Sequence, residues 1–205
     1  MNKSKKTLNI QKFKIDKLFI NGGIIIIIIA TVLKLYSIYE KNRLISDYET
    51  LQICNGENTE NIHTEYESND ESPLEKNILG IIEIPKINLK APIGQGVDKE
   101  TLKYSVGHFE STSIPGKKGN CCLIGHRSYT YGEFFNRLDE LEKDDTVIIN
   151  CNNNKYTYII SDKFVVNSDD TYVLDNNDAY ELTLITCTPI RVGTHRLIIK
   201  GILKN

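Results

Sequence analysis

Residues 18–33 read L-F-I-N-G-G-I-I-I-I-I-I-A-T-V-L, a run without a charge that contains six consecutive isoleucines. A helix built from it has no hydrophilic side to turn towards water, so it does not fit the surface of a globular domain. Continued to Ile38, such a helix is about 31 Å long at 1.5 Å per residue, enough to cross a bilayer core. Lys34 stands near one end, where its stem can reach the interface, and Tyr36 and Tyr39 suit the headgroup level. We therefore expect a transmembrane signal-anchor helix over residues 18–38.

The flanks give this span a direction. Residues 1–17 hold six lysines against one aspartate. By the positive-inside bias they form a cytoplasmic basic tail, and the rest of the chain lies outside the cell. A cleaved signal peptide fits less well, because Ala30-Thr31-Val32 is a poor cleavage site. Residues 40–77 carry ten acidic and three basic residues. The part from 40 to 51 can continue the helix. The remainder of 39–77 reads as an acidic extracellular spacer that repels itself and extends.

A folded domain is expected over residues 78–205. Ile81-Ile82-Glu83-Ile84 reads as a strand ended by Pro85, and Ile87-Asn88-Leu89 as a short second one. Asp98 is placed to cap a short helix through Leu102 and Tyr104. Residues 120–125 form a short apolar strand with His126-Arg127 at its end. Phe134, Phe135, Leu138 and Leu141 recur at helical spacing over residues 132–141. Residues 146–149, 155–166 and two strands over 181–201 complete the set. About eight short strands with frequent turn signals point to a β-barrel or a sandwich.

The net charge of −2 gives no reason to expect nucleic acid as a partner. The five cysteines, Cys54, Cys121, Cys122, Cys151 and Cys187, form no C-x-x-C pair, and no histidine cluster completes a zinc site. Cys121, Cys122 and Cys151 read as small buried hydrophobes. Cys187 differs: it ends a strand that Thr188-Pro189 stops at once, and Arg196 opens the next strand. A thiolate nucleophile needs a proton shuttle and a group for the oxyanion. Of the four histidines, His63 falls in the spacer, and His195 alternates with Arg196 so that only one of the two faces a site. His126, at a strand end within Gly-His-Arg, ranks above His108.

At these residues the chain resembles the sortases, the cysteine transpeptidases of Gram-positive surfaces. Thr183-Leu184-Ile185-Thr186-Cys187 resembles their T-L-x-T-C signature. Thr194-His195-Arg196-Leu197 resembles their arginine strand, and Gly119-Asn120 through Gly125-His126-Arg127 their histidine strand. The resemblance covers residues 78–205 and keeps the family's order. It implies the eight-stranded sortase β-barrel, with Cys187 as nucleophile, His126 as acid/base and Arg196 as the group that binds the substrate carbonyl or oxyanion. It further implies an LPxTG-like sorting signal cut between Thr and Gly, a thioacyl intermediate, and transfer to a cell-wall amine or a pilin lysine. Thr183 and Thr186 are expected to shape the strand, and loops 128–132 and 188–193 to wall the site. No lid motif of the pilin-polymerising class precedes the barrel: Ser72-Pro73-Leu74 stands there. That leaves a resemblance to class A or class D, and the Gly-His-Arg and Thr-Cys-Thr-Pro contexts favour class D, with class A next.

Other readings make different predictions. An extracellular cysteine peptidase that mainly hydrolyses would use the same three residues, and a pilin-polymerising sortase would use a lysine acceptor. A non-enzymatic tethered β-domain would not need Cys187. No cofactor is expected. Asp169, Asp170, Asp175 and Asp178 could offer oxygen ligands to calcium, but a solvated acidic loop is the preferred reading.

Overall fold

The computed structural model describes residues 3–57, 77–127 and 134–204. It divides into two units, Met1–Ile38 and Tyr39–Asn205. In the first, helix α1 (Lys3–Glu57) begins. Ile24, Ile25, Ile26, Ile27, Ile28 and Ile29 are all half or more exposed, which apolar side chains tolerate in lipid and not in water. Over Phe19–Thr50 the helix is long and apolar enough to cross a membrane.

The second unit is built on eight strands: β1 (Ile78–Ile84), β2 (Leu89–Gln95), β3 (Val106–His108), β4 (Gly119–Ile124), β5 (Thr146–Cys151), β6 (Asn154–Asn167), β7 (Tyr180–Thr188) and β8 (His195–Leu203). They close into a barrel in the order β1-β2-β3-β4-β7-β8-β6-β5. The barrel, not the sandwich, is therefore the fold. Pairs β2–β3 and β4–β7 run parallel, and the other neighbours antiparallel.

Period-two alternation sorts each strand into two faces. Cys121 and Leu123 of β4, Leu182 and Leu184 of β7, and Leu197 and Ile199 of β8 join the main core inside the barrel. Their neighbours Cys122, Ile185 and Ile198 belong to a second cluster on the outer face, with Val166 and Val173. A turn at Tyr172–Leu174 covers this outer cluster with Val173. Asn120, buried on β4, ties the turn down: its side-chain amide donates to Val173 O at 2.9 Å and Asp175 O at 3.1 Å, and its Oδ1 accepts from Thr183 Oγ1 at 2.7 Å.

Several local expectations hold. Asp98 caps α2 (Lys99–Tyr104), accepting from the amides of Glu100 and Thr101. Others are corrected. Ile87 lies in a 3₁₀ turn, Pro85–Ile87, and not in a strand. Asn88 follows at φ 54, a left-handed conformation that asparagine tolerates, and β2 starts only at Leu89. The expected helix over 132–141 contains only a 3₁₀ turn, Leu138–Glu140, within the described residues. Phe134 and Phe135 are adjacent and both fully buried alongside Leu138 and Leu141. Neighbours on an α-helix diverge by about 100°, whereas a loop wrapped over the barrel end buries both. Arg137 Nη1 holds this loop to Ile87 O at 3.0 Å.

After residue 38 the helix continues over 40–51, as the sequence allows, and runs about a further turn and a half beyond, to Glu57. Leu44, Ile45 and Tyr48 are buried, and the last two pack with Ile81 and Ile78 of β1. Tyr48 Oη donates to Leu79 O at 3.1 Å and accepts from Asn152 N at 3.1 Å, so it spans the start of β1 and the β5–β6 turn. Tyr48→Phe removes both bonds and is expected to destabilise the domain by about 1–2 kcal/mol. Chemical unfolding of the full-length chain checks this; an unchanged midpoint would show that the contact contributes nothing. The rest of the expected spacer, residues 58–76 with His63, lies outside the described residues.

Candidate active site

Three adjacent strands, β4, β7 and β8, assemble the site. In register, Ile124 pairs with Ile185, and Ile185 with Ile198. That row of three isoleucines lies on the outer face. Two residues further along, Cys187 pairs with Arg196 across β7–β8. On the other side, the β4 chain keeps step with β7 past its last strand residue. Gly125 N donates to Ile185 O at 3.1 Å, and Thr186 Oγ1 donates to Gly125 O at 2.8 Å. Extended two residues past Ile124, this register puts His126 level with Cys187, so that His126, Cys187 and Arg196 fall on one rung and one face, on strands about 4.8 Å apart.

All three are partly exposed, whereas Thr186, one residue before Cys187, is fully buried. Alternation thus turns the threonine inward and the thiol outward. The backbone carbonyl of His126 accepts from Phe135 N at 3.2 Å, which ties the histidine segment to the wrapped loop. Arg196 spends Nη1 on Gly193 O at 2.9 Å and His195 O at 3.0 Å. Nε and Nη2 remain as donors of a planar cation that stays charged at any working pH. Gly193, at φ 67, crosses close to the thiol: a Cβ there would lie 3.9 Å from Cys187 Sγ. The β7–β8 loop that it closes presents Val192 and Ile190 to solvent.

Among the described barrel residues, the other cysteines and histidines do not enter this rung. Cys121, Cys122 and Cys151 are buried and unbridged, and burial raises all three thiol pKa values, that of Cys122 to about 12. His108 is buried on β3. Its Nε2 lies 3.0 Å from Ser113 O and its Nδ1 3.0 Å from Gln95 Oε1, and desolvation lowers its pKa. His195 pairs with Thr188 on the opposite face from Arg196 and contacts Thr194 Oγ1 at 2.8 Å.

Thr183 and Thr186 act as expected, through hydrogen bonds that shape β7. Asn120 went unrecognised as an anchor; its only sequence signal is a polar residue opening an apolar strand. Loop 128–132 lies outside the described residues. Of the acidic loop, Asp170 accepts from Asn167 N at 2.8 Å, and Asp178 pairs with Lys118 at 2.8 Å. No group of three or more His, Cys, Asp or Glu is arranged for a metal among the described residues.

A family model described as "Sortase domain" matches residues 82–204. The chain belongs to the sortase family. Among curated relatives, Sortase D of Bacillus subtilis (strain 168) is 38% identical over 111 residues, covering 54% of each chain. Sortase A of Bacillus anthracis is 28% identical over 126 residues, covering 62% of this chain and 60% of that one. The sortase chain thus aligns with little more than half the length of these relatives. Among solved structures, a Clostridium perfringens Sortase D5 transpeptidase superposes with a TM-score of 0.66 at 27% identity, covering 82% of this chain and 99% of that one. The resemblance to class D agrees with the first and third of these.

Proposed function

We propose that this sortase is a membrane-anchored cysteine transpeptidase. It would cut an LPxTG-like sorting signal between Thr and Gly and pass the surface protein to a cell-wall amine. What supports this reading is the pairing of Cys187 with Arg196 across β7–β8, with His126 two residues past Ile124, the β4 partner of Ile185.

The chemistry follows from that rung. Cys187 Sγ, as thiolate, attacks the threonine carbonyl carbon. Negative charge moves to the carbonyl oxygen, where the Arg196 guanidinium stabilises it. His126, as imidazolium, gives a proton to the departing glycine nitrogen, and a thioester remains on Cys187. The incoming amine loses a proton to His126, attacks the thioester carbonyl and releases the thiolate. Residues 1–17 would be cytoplasmic, 18–38 would span the membrane, and the barrel would work outside.

The test is full-length protein in detergent incubated with an LPxTG-type peptide, with and without glycine- or diaminopimelate-type amines. Amide product that grows with amine concentration supports transfer. Free acid alone at saturating amine would make the enzyme a hydrolytic peptidase. Arg196→Ala is expected to lower kcat by about 10²–10³-fold, as loss of one oxyanion donor does, with Arg196→Lys recovering part of it. A kcat unchanged in Arg196→Ala would remove the arginine from the transition state.

A further inference from the structure

Beyond the three residues of the rung, a fourth side chain is built around it. Arg127 follows His126 directly, yet its side chain is only 7% exposed. Its Nη1 donates to Thr188 Oγ1 at 2.8 Å, and its Nη2 pairs with Asp139 Oδ1 at 2.9 Å. Thr188 follows Cys187 directly. One guanidinium thus joins the residue after the histidine to the residue after the cysteine, and anchors both to the wrapped loop that carries Asp139.

The placement matters because of where the β4–β7 ladder stops. The last backbone bond between the two segments is Gly125 N to Ile185 O. After it, among the described residues, the connections are made by side chains. Thr186 Oγ1 to Gly125 O closes the step before the rung, and Arg127 to Thr188 closes the step after it. His126 and Cys187 stand between these two fastenings, and no backbone bond at their own level holds them together. On alternation, Arg127 and Thr188 face away from His126 and Cys187, so the arginine does not contact a substrate lying on the outer face.

We propose that Arg127 is a positioning residue that fixes the spacing of His126 and Cys187 by clamping Thr188, with Asp139 holding the clamp in place. This rests on the transpeptidase reading above. A buried guanidinium with two partners at separate positions needs a fork of donors. Lysine keeps the charge but offers a compact ammonium in place of the planar fork. Misplacement of reacting groups by about 1 Å lowers rates by about 100-fold. Such a loss falls on the chemical step, and substrate affinity stays close to its original value.

The experiment compares full-length wild type, Arg127→Ala, Arg127→Lys and Thr188→Val in detergent, with two readouts. The first is kcat and KM on the sorting peptide. Arg127→Ala is expected to lose about 100-fold in kcat, and Arg127→Lys and Thr188→Val about 10-fold, with KM within about threefold of wild type. The second, which needs no substrate, is the rate of Cys187 alkylation by iodoacetamide, with His126→Ala as reference. The Arg127→Ala rate is expected to move from the wild-type value at least half-way, on a logarithmic scale, to that of His126→Ala. Wild-type kcat and alkylation rate in folded Arg127→Ala would overturn the proposal, as would a rise in KM alone. Where Arg127→Ala fails to fold, Thr188→Val and Arg127→Lys decide on the same criteria. If His126→Ala alkylates as wild type does, the Cys–His pairing itself is wrong and the clamp falls with it. If wild type turns over no peptide but the alkylation rates follow the expected order, the clamp stands and the substrate reading fails.

Discussion

Cys187→Ala is expected to abolish acyl transfer. Turnover of a sorting peptide by the full-length chain should fall by about 10⁴-fold or more, because the nucleophile and the covalent intermediate vanish together. The thioacyl adduct that mass spectrometry would find on wild type should be absent. None of the other three barrel thiols is placed to take its place. Cys121, Cys122 and Cys151 are at most 3% exposed, and desolvation holds each as a thiol. Of the four described barrel cysteines, Cys187 alone is partly exposed, and its cross-strand neighbour is a cation. Peptide mapping after iodoacetamide should accordingly find label on Cys187 and none on Cys151. Retained turnover in Cys187→Ala would end the enzyme reading and leave a tethered binding domain.

His126→Ala should lower kcat by up to about 10⁴-fold, the upper range for loss of a general acid–base group. The glycine amine is a poor leaving group unless it receives a proton as the C–N bond breaks. The incoming amine must also lose one. Both transfers are assigned to one imidazole, so both half-reactions should slow. Rapid-quench measurement of peptide cleavage, and of amine attack on preformed acyl-enzyme, separates the two. His108→Gln is the matching control. That ring is buried and has both nitrogens occupied, so its loss should lower stability and leave the catalytic rate of the folded protein near wild type. The opposite pattern, a silent His126→Ala and a dead His108→Gln, would assign the proton shuttle to β3.

The barrel strands were legible because the signals they use are local. Alternating apolar residues mark β7 and β8, and Pro189 and Gly193 punctuate the turn between them. Antiparallel neighbours joined by a short loop have their register set by that loop, so the pairing of Cys187 with Arg196 was nearly readable from spacing. Residues 132–141 misled for a related reason. Apolar spacing records which residues are buried, and a loop wrapped over a barrel end buries Phe134, Phe135, Leu138 and Leu141 as well as a helix would. The docked segment after residue 38 was hidden by its charge. Three buried side chains, Leu44, Ile45 and Tyr48, suffice to seat a helix whose other faces carry the acidic residues.

The sequence by itself determined a helix long and apolar enough to cross a membrane, a strand ending in a cysteine, an arginine opening the next strand, and a resemblance to a family. Each depends on residues within about one turn or one strand of each other, where periodicity and turn chemistry act directly. The resemblance named His126 as their partner; tertiary structure supplies the physical reason it can stand near them. β4 and β7 are parallel and their paired residues lie sixty-one positions apart, Ile124 against Ile185. A parallel pair requires a long crossover, and no short loop fixes its register. That register is set by burial of Leu123 and Leu184 inside the barrel and of Cys122 and Ile185 outside it. A slip of one residue would exchange those faces and turn His126 inward, away from Cys187. The same closure brought Arg127 to Thr188, a contact that spacing along the chain does not reveal.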